Sequence, residues 1–112
     1  MIEQNPSEEI LAIIKEIETD PSATQRDLSQ KVGISLGKTN YLLKELIKKG
    51  FIRVCHFSTH RGRLKKVTYI LTTKGFEQKI RLIKHFLKLK ELEYANLQRE
   101  WRILKNGLRK KQ

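Results

Sequence analysis

From Thr73 to about Asn106 the chain runs without a proline, and its one glycine there, Gly75, falls in the first turn. Within and just beyond this stretch, Phe76, Ile80, Ile83, Leu87, Lys90, Tyr94, Leu97, Trp101, Leu104 and Leu108 alternate at spacings of four and three. That is a heptad seam on one long helix, with Lys90 its only charged member. Lys90 either snorkels to solvent or sets the register at some cost in stability. A second stripe, Leu82, Phe86 and Leu89, flanks only the first half. A wide apolar face suits packing on a globular body, and a narrow seam suits another helix. The helix would span about 50 Å, roughly twice the width of a core of about 70 residues. The second half is therefore expected to project, and a second copy of the chain is the simplest cover for its seam. Leu87, Tyr94, Leu97, Trp101 and Leu104 are the expected dimer-interface residues.

Upstream, the signals change every dozen residues. Ser7 is placed to cap a first helix after Pro6, and Ile10, Ile13, Ile14 and Ile17 mark its apolar face. Asp20-Pro21 ends it. Thr24 and Asp27 have capping-box spacing and open a short helix with Leu28 and Val32 facing the core. Gly33 suits a left-handed C-cap, Ile34 tucks in, and Ser35 can cap a third helix ending about Lys49 before Gly50. Residues 51–57 (FIRVCHF) and 67–72 (VTYILT) are rich in β-branched and aromatic residues and predict a hairpin. Its tip, about 58–66, is basic: His60, Arg61, Arg63, Lys65 and Lys66. Ile52, Val54, Tyr69 and Leu71 are placed to close the core against the three helices. The fold class is mainly α with a small β-hairpin, divided as a compact unit over 1–72 and a long helix over 73–112.

Charge narrows the partner. Residues 1–21 hold one lysine and six acids, net −5. Residues 22–72 hold eleven Lys/Arg and two acids, net +9, and residues 73–112 hold twelve and four, net +8. A basic block behind an acidic first segment points to a polyanion, with nucleic acid ahead of an anionic membrane surface. No window reaches the roughly 18 unbroken apolar residues of a membrane helix, and the acidic start MIEQNPSEE does not read as a signal peptide. A single cysteine, Cys55, forms no internal disulfide and fits a reducing compartment, the cytoplasm. It reads as a small core or edge residue, with no sign of a reactive thiolate.

The string GISLGKT, Gly33 to Thr39, raises the possibility of a phosphate-binding loop. That motif needs four residues between its glycines and a strand before it. Three residues separate Gly33 from Gly37, and the preceding TQRDLSQKV reads as a helix. Helix, short glycine turn, helix is the better parse. The third helix, about 36–49, then becomes a recognition helix for the major groove. Thr39, Leu43 and Leu46 share its inward side, leaving Lys38, Asn40, Tyr41 and Lys44 outside. Asn40 suits adenine edges, and Lys38 suits guanine acceptors or a phosphate. Tyr41 suits a thymine methyl or a phosphate, and Lys44 suits backbone. Gly37, near the cap Ser35, removes bulk where backbone approaches DNA. Gln25 and Arg26 open the preceding helix, where phosphates bind. Arg61 and Arg63 flank Gly62 at the hairpin tip, as a minor-groove probe requires.

These residues also carry a family likeness. TQRDLSQKVGISLGKTNYLLKELIKKGFIRV, then a basic hairpin, then YILTTKG, resembles the winged helix-turn-helix regulators of the MarR group. Within that group it is most similar to regulators associated with exopolysaccharide gene clusters, over about residues 8–105. Three features depart from the pattern. Thr39 stands where such helices often have Val, Thr73 stands where Pro is common, and the wing HRGRLKK is unusually basic. They bear on the DNA sequence read rather than on the fold. The resemblance implies a homodimer on a two-fold-related site, wing arginines in the minor groove, and transcription regulation.

The expected function is therefore sequence-specific binding of double-stranded DNA by a homodimeric regulator. No cofactor, no membrane and no small-molecule ligand is evident. His56, His60 and His85 lack metal-ligand spacing, and no catalytic constellation stands out, the acids of the first helix reading as a solvated face. Two readings from other classes remain. One is a winged-helix protein-interaction module without a specific DNA site; the other is a nucleotide-binding enzyme built on GISLGKT.

Overall fold

The computed structural model describes residues 6–58 and 65–110. Its elements are α1 (Pro6–Thr19), α2 (Gln25–Val32), α3 (Leu36–Lys48), β1 (Ile52–Ser58), β2 (Lys65–Leu71) and α4 (Thr73–Lys110). The chain forms two compact units, Met1–Leu82 and Ile83–Gln112. The division falls inside α4, so the first turns of that helix belong to the unit built by the other five elements.

Local chemistry sets the element boundaries. α1 begins at Pro6, a residue suited to the first helical position because it lacks an N–H. Ser7 therefore sits inside the first turn. The Thr24–Asp27 capping box is complete: the Asp27 N–H donates to Thr24 Oγ1 at 3.1 Å and the Thr24 N–H to Asp27 Oδ2 at 3.0 Å. Gly33 takes the left-handed conformation at φ 80° and its N–H donates to the Ser29 carbonyl. Two residues on, Ser35 Oγ accepts the Lys38 N–H at 3.1 Å and opens α3. α3 closes at Lys48, and Gly50, at φ 79°, reverses the chain into β1.

The two strands pair antiparallel from Ile52↔Leu71 to Ser58↔Lys65. Strand β2 starts two residues earlier than the side-chain pattern predicts, because ladder bonding is made by backbone whatever the side chain. It stops one residue earlier because Thr72 is recruited elsewhere. Thr72 Oγ1 accepts the Gly75 N–H at 3.0 Å and donates to the Gly50 carbonyl at 2.6 Å. This threonine caps α4 and ties its start to the α3–β1 turn. Gly75 follows from that closeness: a Cβ there would overlap the Phe51 carbonyl oxygen and lie 2.6 Å from Leu71 Cδ1.

One core holds the first unit together. Ile13 and Ile17 of α1, Leu28 of α2, Leu42, Leu43 and Leu46 of α3, and Ile52 and Tyr69 of the hairpin are buried in one cluster. Ile10, Val32, Ile34, Val54 and Leu71 pack against it, as the sequence pattern predicts. Lys79 of α4 pairs with Glu18 of α1 at 2.5 Å. The wide apolar face expected on the first half of α4 is not used whole. Gly75 and Leu82 are buried, whereas the seam residues Phe76, Ile80 and Ile83 are 50%, 41% and 40% exposed. A helix presents about a third of its circumference to a single neighbour, so the side that carries Gly75 and Leu82 turns inward and the seam does not.

The second unit is the rest of α4. The helix has 38 residues, about 57 Å at 1.5 Å per residue. It continues four residues past the Asn106 expected from the pattern. Leu87, Tyr94, Leu97, Trp101, Leu104 and Leu108 are all exposed in the protomer.

Candidate nucleic-acid interface

The interface is built on α2, the Gly33–Ile34–Ser35 turn and α3. Four side chains anchor α3: Thr39, Leu42, Leu43 and Leu46 are buried. Thr39 completes its own anchorage, its hydroxyl donating to the Ser35 carbonyl at 2.9 Å. Burying this one stripe fixes the rotation of the helix about its axis, and so fixes what faces out. Leu36, Gly37, Tyr41, Lys44 and Lys48 are exposed, and Tyr41 is 61% exposed.

Gly37 has no packing reason within the fold, since a Cβ there would meet nothing within 4 Å. A glycine inside an exposed helix costs about 1 kcal/mol relative to alanine. The fold leaves that cost unexplained, and a close external surface would explain it.

Gln25 and Asn40 are brought together across the turn. Gln25 Nε2 lies 3.5 Å from Asn40 Oδ1 and 3.5 Å from the Tyr69 hydroxyl, at the outer limit of hydrogen bonding. Asn40 is half-buried, so its amide is partly held by the protein's own groups. Arg26 is exposed in the first turn of α2. Ser35 spends its side chain on the α3 cap. Arg61 and Arg63, with the rest of the hairpin tip over 59–64, lie outside the described residues.

Lys38 is exposed, as its place outside the inward face predicts, and it also has a partner that the sequence reading did not name. Its Nζ donates to Glu9 Oε1 at 2.8 Å, and Glu9 is only 1% exposed. The acids of α1 are accordingly not a simple solvated face. Glu9 is buried, Glu16 pairs with Lys31 at 3.7 Å, and Glu18 pairs with Lys79. Sequence reasoning missed Glu9, although a signal existed. Glu9, Ile13 and Ile17 are spaced four apart, which puts the carboxylate on the stripe that faces the core.

Three short helices, the third turned outward by its buried stripe, a two-stranded hairpin and a long fourth helix define the architecture. The fold is a winged helix. Residues 9–53 match the family model described as winged helix-turn-helix DNA-binding. The sequence matches no curated protein. Among solved structures the chain is similar to Sso10a-2, a DNA-binding protein from Sulfolobus solfataricus. The TM-score is 0.64 at 20% identity, over 90% of this chain and 97% of that one. It is also similar to the PcaV transcriptional regulator from Streptomyces coelicolor, solved with its natural ligand. Here the TM-score is 0.63 at 16% identity, over 83% of this chain and 62% of PcaV. Staphylococcus aureus MarR, solved with salicylate and kanamycin, gives 0.56 at 26% identity, over 78% and 56%. The winged-helix chain thus spans less than two thirds of PcaV and of MarR, but nearly all of Sso10a-2.

Among the described residues no three His, Cys, Asp or Glu side chains gather as metal ligands, and no helix is long and apolar enough to cross a membrane. GISLGKT is divided as the helix–turn–helix parse requires. Gly33 is the C-cap of α2, Ser35 the N-cap of α3, and Leu36 to Thr39 the first turn of α3. It follows a helix rather than a strand.

Proposed function

We propose that this winged helix is a sequence-specific double-stranded DNA-binding transcription regulator of the MarR type, acting as a homodimer in the cytoplasm. The observation that carries the reading is the orientation of α3. Its buried stripe leaves Gly37, Tyr41 and Lys44 exposed, and Arg26 is exposed in the first turn of α2, on a chain of net charge +12. In this reading α3 enters the major groove. Lys38, Asn40 and Tyr41 meet base edges, while Gln25, Arg26, Ser35 and Lys44 position the backbone. Arg61 and Arg63 of the wing reach the minor groove. The likeness to the DNA-binding protein Sso10a-2 supports the DNA partner.

The homodimer rests on α4. Leu87, Tyr94, Leu97, Trp101 and Leu104 form a seam exposed to water in the protomer. Fully burying each large apolar side chain is worth roughly 1.5–3 kcal/mol, and a second copy supplies an identical seam. Phe76, Ile80 and Ile83 extend the same stripe toward the winged unit. The exopolysaccharide-associated subgroup is part of the proposal on the strength of the run TQR-L with GISLGK-NYLLK-LI-KG and the Tyr-x-Leu-Thr-x-x-Gly that opens the long helix. PcaV and MarR were solved with small molecules, so an effector for this chain is an open part of the proposal.

Selection of duplexes from a random pool tests the function. The expected result is one enriched motif with two-fold symmetry, its half-sites about one helical turn apart. No enrichment, together with no duplex binding even at low salt, would overturn it in favour of a protein-interaction module.

A further inference from the structure

The pairing of Glu9 with Lys38 joins the core to the recognition helix. Glu9 lies in the first turn of α1, and its side chain is 2% exposed against 46% for Lys38. Oε1 accepts from Lys38 Nζ at 2.8 Å, and Oε2 is buried with no partner among the described residues. Enclosing a carboxylate carries a desolvation cost that a neighbouring cation offsets. Lys38 is fixed at its other end too, between the Ser35 cap that takes its N–H and the fully buried Thr39. An ammonium has three donors. Glu9 takes one, and the half-exposed side chain leaves the others turned to solvent.

From this geometry we infer that Glu9 is a positioning residue that makes Lys38 a reader of base edges rather than a phosphate cation. The inference rests on the DNA-binding reading. A cation contributes to affinity for any duplex by displacing condensed counterions from phosphate. Lys38 already carries a fixed protein anion, so it has little net charge to offer, and Glu9 repels an approaching phosphate. A guanine O6 or N7 has no net charge and still accepts a directed hydrogen bond. Glu9 thus suppresses the sequence-independent use of Lys38 and keeps the directional one. Lys44, about 1.7 turns further along α3, is exposed, pairs with no acid among the described residues and serves as the contrasting phosphate cation.

The test is the salt dependence of affinity, measured with the full chain on a selected duplex and a random-sequence duplex. Lys44→Gln sets the scale and should flatten the slope of log K against log salt by about one. Lys38→Met leaves the Glu9 carboxylate uncovered, so its readout is the selected-to-random affinity ratio, which should fall about tenfold or more. Glu9→Gln should steepen the slope on random duplex by about one and also lower the ratio. The double variant Glu9→Gln/Lys38→Met removes both charges together and keeps the test available if a single variant unfolds. It should show the wild-type slope and a lost ratio. Flattening by about one in the double variant would overturn the inference. So would a folded Glu9→Gln with wild-type slope and ratio. Wild-type protein that binds duplex without preference also overturns it but leaves DNA binding standing, whereas wild type that binds no duplex refutes DNA binding itself.

Discussion

Two residues show how little of a side chain's role is set by its type. Gly75 opens a helix where alanine has the better intrinsic propensity, yet the Phe51 carbonyl occupies the space a methyl group needs. Gly75→Ala should therefore destabilise the winged unit by about 1–3 kcal/mol, the usual range for overpacking. Thermal unfolding reads this as a lowered Tm, and an unchanged or raised Tm would show that α4 does not seat on the α3–β1 turn. Asp27 illustrates a charge set by capping. The Thr24 backbone N–H first, then the Thr24 side chain, hold its carboxyl below the usual carboxylate range, with Lys31 adding a smaller pull and slight desolvation opposing. A carboxyl lowered in the folded state stabilises above its unfolded value, near 3.9, and the gain is lost as pH falls through the folded value. Asp27→Asn should lower Tm modestly at neutral pH, and the gap from wild type should close as the pH falls below about 4. A gap that persists unchanged at pH 2 would assign the effect to hydrogen-bond geometry instead of charge.

At the scale of elements, α3 and α4 behave oppositely. α3 has 13 residues and is fixed on one side by four buried side chains, so its outward face is determined inside the protomer. α4 has 38 residues, and beyond Leu82 its seam residues Leu87, Tyr94, Leu97, Trp101, Leu104 and Leu108 are exposed. Long isolated helices are marginal in water, since most helical stability in proteins comes from packing an apolar face. Leu97→Asp places a carboxylate at the middle of that seam in both copies. The dimer should weaken at least about tenfold, given that burying an unpaired charge costs several kcal/mol. Sedimentation of wild type and variant decides it: a wild-type chain already monomeric at micromolar concentration, and indifferent to Leu97→Asp, would contradict the dimer. The heptad spacing was legible from Phe76 to Leu108 because it depends only on sequence position. Which flank of it faces the winged unit was not, because that depends on where Thr72 and Gly75 fasten the helix.

For the whole molecule, the charge layout argues for a duplex partner. The acids of α1 are partly consumed by internal pairs with Lys31, Lys38 and Lys79, while Arg26, Lys44, Lys48 and Arg53 are exposed. Affinity for DNA should accordingly fall steeply with salt. Arg61→Ala should weaken binding on all sequences alike and reduce the salt slope by about one. A loss confined to one base position would place Arg61 among the base readers instead.

The sequence by itself determined the order of elements, the Thr24–Asp27 and Ser35 caps, the Gly33 turn and the heptad seam. Each of these depends on residues within about one heptad of one another, where backbone geometry and side-chain type settle the outcome locally. It also separated GISLGKT from a phosphate loop, because a helix before Gly33 is a local matter. Only the tertiary structure decided what Glu9, Thr72 and Gly75 do. Glu9 meets Lys38 across 29 residues, Thr72 reaches the Gly50 carbonyl across 22, and Gly75 is confined by the Phe51 carbonyl. Contacts at that separation exist only once the core has closed, and no local propensity encodes them.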